Sequence, residues 1–176
     1  MRSQGATWHV LLRPLLILFC LIASLAIASE EAVLAKLKPV ADGLLSGDFT
    51  PGITIMYEPV VNDLGGKKKL LEAVAALKDQ MAALKMKVVR SDFVRPFRFV
   101  RGEKRHYVIV SSVTDFEAPV GLIRVQGFQL GIEVSPGEWQ FVDGAHITPA
   151  IVEKYFPDFP STAKLPEQRQ DVIKKN

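Results

Sequence analysis

Cysteine is almost absent from this chain: Cys20 is the only one, and it lies inside an apolar segment near the N-terminus. The part that follows this segment has no thiol, which excludes a disulfide, a thiolate nucleophile and a cysteine-based metal site there. Histidine is scarce too, because only His106 and His146 follow the segment, far apart and without HxH or HExxH spacing. We therefore predict no metal site and no cofactor.

An excess of charge of either sign is also lacking. The chain has 22 Lys and Arg against 19 Asp and Glu, a net charge of +3. Arg2 and Arg13 belong to the N-terminal segment, so the remainder is nearly neutral. This composition gives no electrostatic basis for binding nucleic acid. The short basic run at residues 67–69 is typical of a solvated surface, with contact to anionic lipid or an acidic partner as the alternative.

The N-terminal segment has the pattern of a secretory signal peptide. Arg2 and Arg13 precede an uncharged apolar run at residues 15–28. At 1.5 Å per residue this run is too short to cross a hydrocarbon core of ~30 Å. Ala26 and Ala28 supply the small residues required for cleavage before Ser29. We predict a signal peptide over residues 1–28, export to the periplasm or the medium, and no stable membrane span after cleavage.

Two alternatives for this segment stay open. Lipidation at Cys20 is one, although Phe19 stands where a small residue normally precedes a lipidated cysteine. The other is an uncleaved anchor that starts near Val10, although Arg13 and Pro14 interrupt it.

Helical spacing dominates the first half of the remaining chain. Residues 30–46 have apolar positions at three- and four-residue steps, but Pro39 and Gly43 predict a kink or two short helices. Residues 53–57 form a short apolar run bounded by prolines, which favours a short strand or an irregular segment. The clearest helix is predicted over residues 67–86. Its narrow apolar stripe indicates a helix that faces the core rather than a coiled coil.

Strand spacing follows from residue 87 onward. Alternating apolar positions predict strands near residues 87–99, 105–113, 122–134 and 139–142, and Pro96 favours an edge position or a bulge in the first. Thr148 and Pro149 start a short helix that ends near Phe156. The order predicts an α+β fold: N-terminal helices on a strongly curved antiparallel sheet of about four to five strands, then a short helix. A single domain over residues 29–166 is expected, followed by a charged flexible tail at 167–176.

This order of elements, with short motifs at residues 47–49, 139–144 and 165–166, resembles exported bacterial members of the nuclear transport factor-two-like superfamily. The resemblance covers residues 32–166. It implies a cone fold, in which a curved sheet wraps around a long helix. The superfamily includes isomerases, dehydratases, polyketide cyclases and many modules without catalytic activity, so the fold does not imply one function.

In enzymes of this superfamily an Asp, His or Tyr inside the cone does the acid–base chemistry. The candidates here are weak, because none belongs to a catalytic motif: they are Asp92, Asp143 and His146, followed by Tyr57 and His106. Each also has a structural explanation. Asp143 fits a turn, His146 a helix start, His106 a solvated strand end, and Asp92 an ion pair with Arg90 or Arg98.

A ligand pocket is the other interpretation of the inward-facing strand residues. Its candidates are Tyr57, Phe93, Phe97 and Phe128, for which filling the core is the alternative. We predict an exported module without catalysis that binds a small apolar ligand or a partner protein, with a homodimer through the outer sheet face as one such partner. The alternative is an isomerase, cyclase or dehydratase with an acid–base residue in the cone.

Overall fold

The computed structural model describes residues 30–173. The predicted signal peptide, with its cleavage site at Ala26, Ala28 and Ser29, lies outside these residues, as do residues 174–176. Four helices come first: α1 over residues 30–46, α2 (Thr50–Thr54), α3 (Glu58–Asp63) and α4 (Gly66–Ala83). The elements that follow are β1 (Lys87–Arg101), β2 (His106–Ala118), β3 (Gly121–Ser135), β4 (Glu138–Asp143), a 3₁₀ turn (Gly144–His146), α5 (Pro149–Tyr155) and β5 (Arg169–Ile173).

The strands form one open antiparallel sheet in the order β1-β2-β3-β4, with β5 also paired to β3. Because β3 is long, β4 pairs with its C-terminal half and β5 with its N-terminal half. Bulges interrupt the pairing of β1 with β2 at two places, and bulges bend the strand that carries them. The predicted α+β class, with helices first, four to five antiparallel strands and a short late helix, is confirmed.

Alternation along the strands gives the sheet an apolar cluster on each face. On the α1 face, Val33 and Leu37 of α1 are fully buried against strand residues. Their buried partners in this cluster are Phe97, Val108, Val110, Trp139 and Phe141. The opposite face is covered by α3 and by the segment after β4. Its buried members are Val60, Tyr107, Ile109, Phe128, Leu130, Ile132, Val142 and Phe156.

Gly131 of β3 lets the α1-face cluster close. A Cβ built there would lie 2.5 Å from Val108 and 2.8 Å from the ring of Phe141. Distances this short are not sterically allowed, so the residue is glycine because its two neighbours on that face occupy the space of a side chain.

Three local predictions differ at least in part from the structure. Of the two alternatives for residues 30–46, two short helices is wrong: α1 is one continuous helix, because its buried stripe of Val33, Leu37 and Ala41 continues past the exposed Pro39. Of the predicted strand or irregular segment at residues 53–57, residues 53 and 54 are instead helical, because Pro51 stands in the first turn of α2, where its missing N–H is tolerated. Residues 55–57 are irregular, and Met56 makes an isolated bridge, parallel to Phe141. Within the predicted tail, residues Arg169–Ile173 form the strand β5.

The helix α4 confirms the clearest prediction from the sequence in extent but not in burial. None of its residues is buried, and Leu77, in the middle of the apolar stripe, is 43% exposed. It follows Gly65 and Gly66, both with positive φ. α4 therefore covers the α1 face loosely and leaves space beneath it.

Within residues 30–173 no helix is both long enough and apolar enough to span a membrane.

Candidate functional site

A cavity of about 240 Å³ lies between the helices and the α1 face of the sheet. Its walls are mainly apolar and come from α1, α2, α4 and the sheet. The apolar lining residues are Leu37, Val40, Leu44, Phe49, Ile53, Ile55, Met56, Val74, Leu77, Phe93 and Phe141. Among the described residues, polar side chains line it only on the sheet side, and these are Ser91, Ser112, Thr114, Gln129 and Asp143.

The cavity arises from a change in side-chain size along one face of β2. Val108 and Val110 fill the space beneath α1, and the next inward positions are Ser112 and Thr114. Each has a small cross-strand neighbour on one side: Gly127 pairs with Ser112 and Ser91 with Thr114. Small side chains on three strands leave a space that the loosely packed α4 does not fill.

Asp143 and Gln129 form the polar corner of this cavity. They face each other across β3 and β4, and Gln129 Nε2 donates a hydrogen bond of 2.7 Å to Asp143 Oδ2. The other oxygen, Oδ1, accepts from the Ala145 N–H at 2.8 Å and so caps the 3₁₀ turn. Asp143 is exposed. Its carboxylate is held in place at the rim of the cavity and presents negative charge there.

Of the residues singled out from the sequence, the structure brings two together in the cavity: Asp143 and Phe93. Phe97 and Phe128 are 6% and 4% exposed and belong to the two apolar clusters. Tyr57 packs against Phe156, with ring centroids 5.5 Å apart, and its hydroxyl accepts from Arg105. These three aromatic residues do not line the cavity.

The remaining candidates lie on the surface. Asp92 is exposed and pairs with Arg90 at 2.5 Å. His106 Nδ1 lies 2.7 Å from Glu133 Oε2, and His146 is exposed in the 3₁₀ turn. Neither histidine nor Asp92 reaches the cavity.

Sequence reasoning missed the small polar residues that form the cavity floor. The signal was present in the period of two: Ser112 and Thr114 occupy the same inward positions as Val108 and Val110. Polar residues at inward positions indicate either a solvated end of the sheet or a lined cavity. The packing of α1, which ends over the cavity, was needed to decide between them.

A second polar cluster lies on the opposite face, centred on Asp158. Its side chain is 6% exposed. Tyr107 Oη donates to one oxygen at 2.5 Å, and the N–H groups of Lys104 and Arg105 donate to the other at 3.1 and 3.0 Å. Burial would raise the pKa of Asp158, but these hydrogen bonds and the charge of Arg105 lower it below its usual value. Burial raises the pKa of Tyr107, and Asp158 raises it further. The cluster ties the C-terminal segment to the β1–β2 turn.

Asp115 is a buried carboxylate on that same face, 3% exposed. Arg124 donates two hydrogen bonds of 2.8 Å to it from Nε and Nη2. This pairing holds the pKa of Asp115 below its usual value, against the effect of burial. Both carboxyl oxygens are thus satisfied, and the pair serves the packing of β2 on β3.

Residues 30–173 contain no group of three or more His, Cys, Asp or Glu side chains arranged to hold a metal ion. Comparison of the chain with protein-family models, with curated proteins and with solved structures finds no match.

Proposed function

We propose that this chain is an exported binding module of the nuclear transport factor-two-like superfamily, and that it holds a small, mainly apolar molecule in the cavity beneath α4. The observation that carries the proposal is the cavity itself, with apolar walls and a few polar side chains on one side. Ligand sites in proteins have this composition, since apolar walls supply affinity and a few polar groups orient the ligand. The helix-first order and the open antiparallel sheet support the assignment to the superfamily.

The polar side chains of the cavity are confined to its sheet side, with one corner at the rim. Gln129 and Asp143 stand together at the rim, whereas the α1, α2 and α4 walls are apolar. The free volume of about 240 Å³ is below the range of roughly 300–1,000 Å³ for drug-sized ligands. A compact molecule therefore fits the cavity alone.

Catalysis by Asp143 is the second candidate, because this carboxylate borders the cavity. Acid–base catalysis usually depends on a carboxyl group that its surroundings desolvate. Asp143 is instead exposed, and both of its oxygens accept hydrogen bonds from the protein. This arrangement favours binding without turnover.

The binding proposal is tested by filling the cavity. In Ser112→Phe a ring enters the space between β2 and α4, while Ser111→Phe carries the same ring on the opposite face of β2. Mass spectrometry of the exported protein under native conditions, with a thermal-shift panel of apolar metabolites, measures binding. We expect ligands to be retained by wild type and Ser111→Phe and lost in Ser112→Phe. A ligand-free spectrum for wild type, with no shift across the panel, would contradict the proposal.

Export is tested separately by N-terminal sequencing of secreted or periplasmic material. We expect the sequence Ser-Glu-Glu-Ala, which begins at Ser29. Intact residues 1–28 in a membrane fraction would show an uncleaved anchor instead. Sedimentation of the same material tests the homodimer that the sequence led us to expect.

A further inference from the structure

A second cavity adjoins the first. It has a volume of about 200 Å³ and lies between the end of α1, the C-terminal half of α4 and the start of β1. Leu44 and Phe49 line both cavities, so these two side chains form the partition between them. We call this second cavity the α4 groove. Its lining residues are Leu44, Leu45, Ser46, Gly47, Phe49, Lys78, Met81, Ala82, Met86, Lys87 and Val88.

The two cavities follow one another along α4. Val74 and Leu77 line the first, and Met81 and Ala82 line the α4 groove. At a rise of 1.5 Å per residue, positions 74 and 82 are about 12 Å apart along the helix. The combined space is therefore elongated and runs beneath the apolar stripe of a helix with no buried residue.

Volume indicates that one ligand uses both cavities. Each is smaller than the usual range of roughly 300–1,000 Å³, whereas their combined volume falls within it. Phe49 is only half-buried, and it stands in the turn before α2, outside both apolar clusters. A change in the Phe49 rotamer would open one side of the partition without moving a residue of either cluster.

Charge distinguishes the two ends of this space. Lys78 and Lys87 line the α4 groove, and no acidic residue lines it within the described part of the chain. Asp48 lies beside Lys78 without lining the groove. Lys87 pairs with Glu117 in the strand register and precedes Val88, which is buried in the groove, so the Lys87 side chain lies on the opposite face of β1 and Lys78 supplies the positive charge at this end. At the other end, Asp143 presents a negative charge. An anionic group fits the lysine end and is disfavoured at the Asp143 end.

We propose that the ligand is a long-chain monocarboxylate, whose alkyl chain passes Phe49 into the cavity beneath α4 and whose carboxylate lies at Lys78. This inference rests on the proposed function and specifies its ligand class. It requires no covalent step.

The path of the chain is tested with a matched pair of α4 variants. Ala82 lines the α4 groove, whereas its neighbour Ala83 lines neither cavity, and both are exposed. Calorimetric titration with octanoate, decanoate and dodecanoate should show wild-type affinity rising about threefold to fourfold per added methylene. Ala82→Phe should lose at least tenfold in dodecanoate affinity, and Ala83→Phe should behave as wild type. Equal affinity of Ala82→Phe and wild type for dodecanoate would overturn the proposal.

The position of the carboxylate is tested with head groups and lysines. In wild type we expect dodecanoate to bind more tightly than dodecanol, and dodecylamine to bind most weakly. Lys78→Gln should weaken dodecanoate by up to about fivefold, the upper end for an exposed charge pair, and leave dodecanol unchanged. Lys68→Gln, on α4 but away from both cavities, is the control. Tightest binding by dodecylamine would place the head group at Asp143 and overturn the assignment.

Failure of this inference is separable from failure of the proposed function. A compact probe such as cyclohexanol, bound by wild type and lost in Ser112→Phe, would keep the binding function even if no chain length of carboxylate bound. If wild type bound neither the compact probe nor a long-chain carboxylate, both proposals would be wrong.

Discussion

At the scale of single residues, Asp158 is a side chain whose substitution should lower stability through its hydrogen bonds. It is nearly buried and accepts from Tyr107 and from two backbone N–H groups. Asp158→Asn places an amide NH₂ among these donors, which should cost about 1–3 kcal/mol of unfolding free energy because a buried donor loses its acceptor. Tyr107→Phe should cost about 1 kcal/mol. The measurement is urea unfolding at neutral pH.

The double variant separates an interaction from two independent losses. If the Tyr107 hydroxyl acts through Asp158, Tyr107→Phe with Asp158→Asn should lose less than the sum of the single variants. Strict additivity would mean that the two groups do not depend on each other. Such additivity would contradict the interpretation of Tyr107 and Asp158 as parts of one hydrogen-bonded unit.

The carboxylate of Asp115 makes the free energy of unfolding depend on pH in the acidic range. Its folded pKa lies below its usual value because Arg124 stabilises the charged form, so the unfolded chain binds the proton more tightly. The contribution of Asp115 is therefore complete above its unfolded pKa, near pH 4, and is lost as the pH falls through the folded pKa. We expect the unfolding free energy to fall more steeply between pH 5 and 3 in wild type than in Asp115→Asn. Asp92→Asn, which alters an exposed ion pair, should follow wild type.

Residue-level prediction succeeded where one side chain decides the outcome. Thr148 caps α5 through a 3.3 Å hydrogen bond from the Ile151 N–H, as its position before Pro149 predicted. For aromatic residues the sequence could not tell cavity from core. Phe93 and Phe97 lie on the same strand and the same face of the sheet, yet only Phe93 lines the cavity, because Phe97 is buried among the cluster residues beneath α1. The position of a strand residue relative to the helix above it has no signature in the alternating pattern.

At the scale of elements, α4 differs from α1 in how firmly it is held. α1 buries Val33 and Leu37 completely, whereas α4 buries nothing. Leu37→Ala should cost about 2–5 kcal/mol, the range for a large-to-small core substitution. Leu77→Ala should cost less than about 1 kcal/mol, because its side chain is 43% exposed. Urea unfolding of the two variants makes the comparison.

Hydrogen exchange gives an independent measure of the same difference. Local opening requires less free energy where few apolar contacts are broken. We expect the α4 amides to exchange faster than those of α1 in the free protein, and to slow when a ligand fills the space beneath them. Equal protection of the two helices without ligand would show that α4 is not loosely packed.

The positions of the helices and strands could largely be predicted from the sequence, but the burial of their residues could not. The apolar stripe of α4 correctly predicted a helix near residues 67–86, but the same stripe was read as core-facing. The stripe shows which side of the helix is apolar. It does not show how closely that side packs against the sheet. That distance depends on Ser112 and Thr114, which stand on a strand far away in sequence.

At the scale of the whole molecule, both faces of the sheet are covered, at least in part, by other elements. Helix α1 covers one face, and the segment after β4 covers part of the other with Phe156, which is 1% exposed. The sequence predicted a short helix that ends near Phe156. It did not show that this helix and the segment after it complete a core, because the apolar residues of that segment are separated by prolines and have no period.

Two truncations distinguish the parts of the C-terminal region. A chain that ends after Glu167 loses β5, whose five residues are all exposed, and should keep cooperative unfolding with little loss of stability. A chain that ends after Thr148 loses Phe156 and Asp158 together. Removing one buried Phe costs roughly 3–5 kcal/mol, against a total of roughly 5–15 kcal/mol for a domain. With the Asp158 anchor lost as well, cooperative unfolding should disappear. Thermal unfolding followed by circular dichroism would decide, and a cooperative transition in the shorter chain would mean that the α1 face alone sustains the fold.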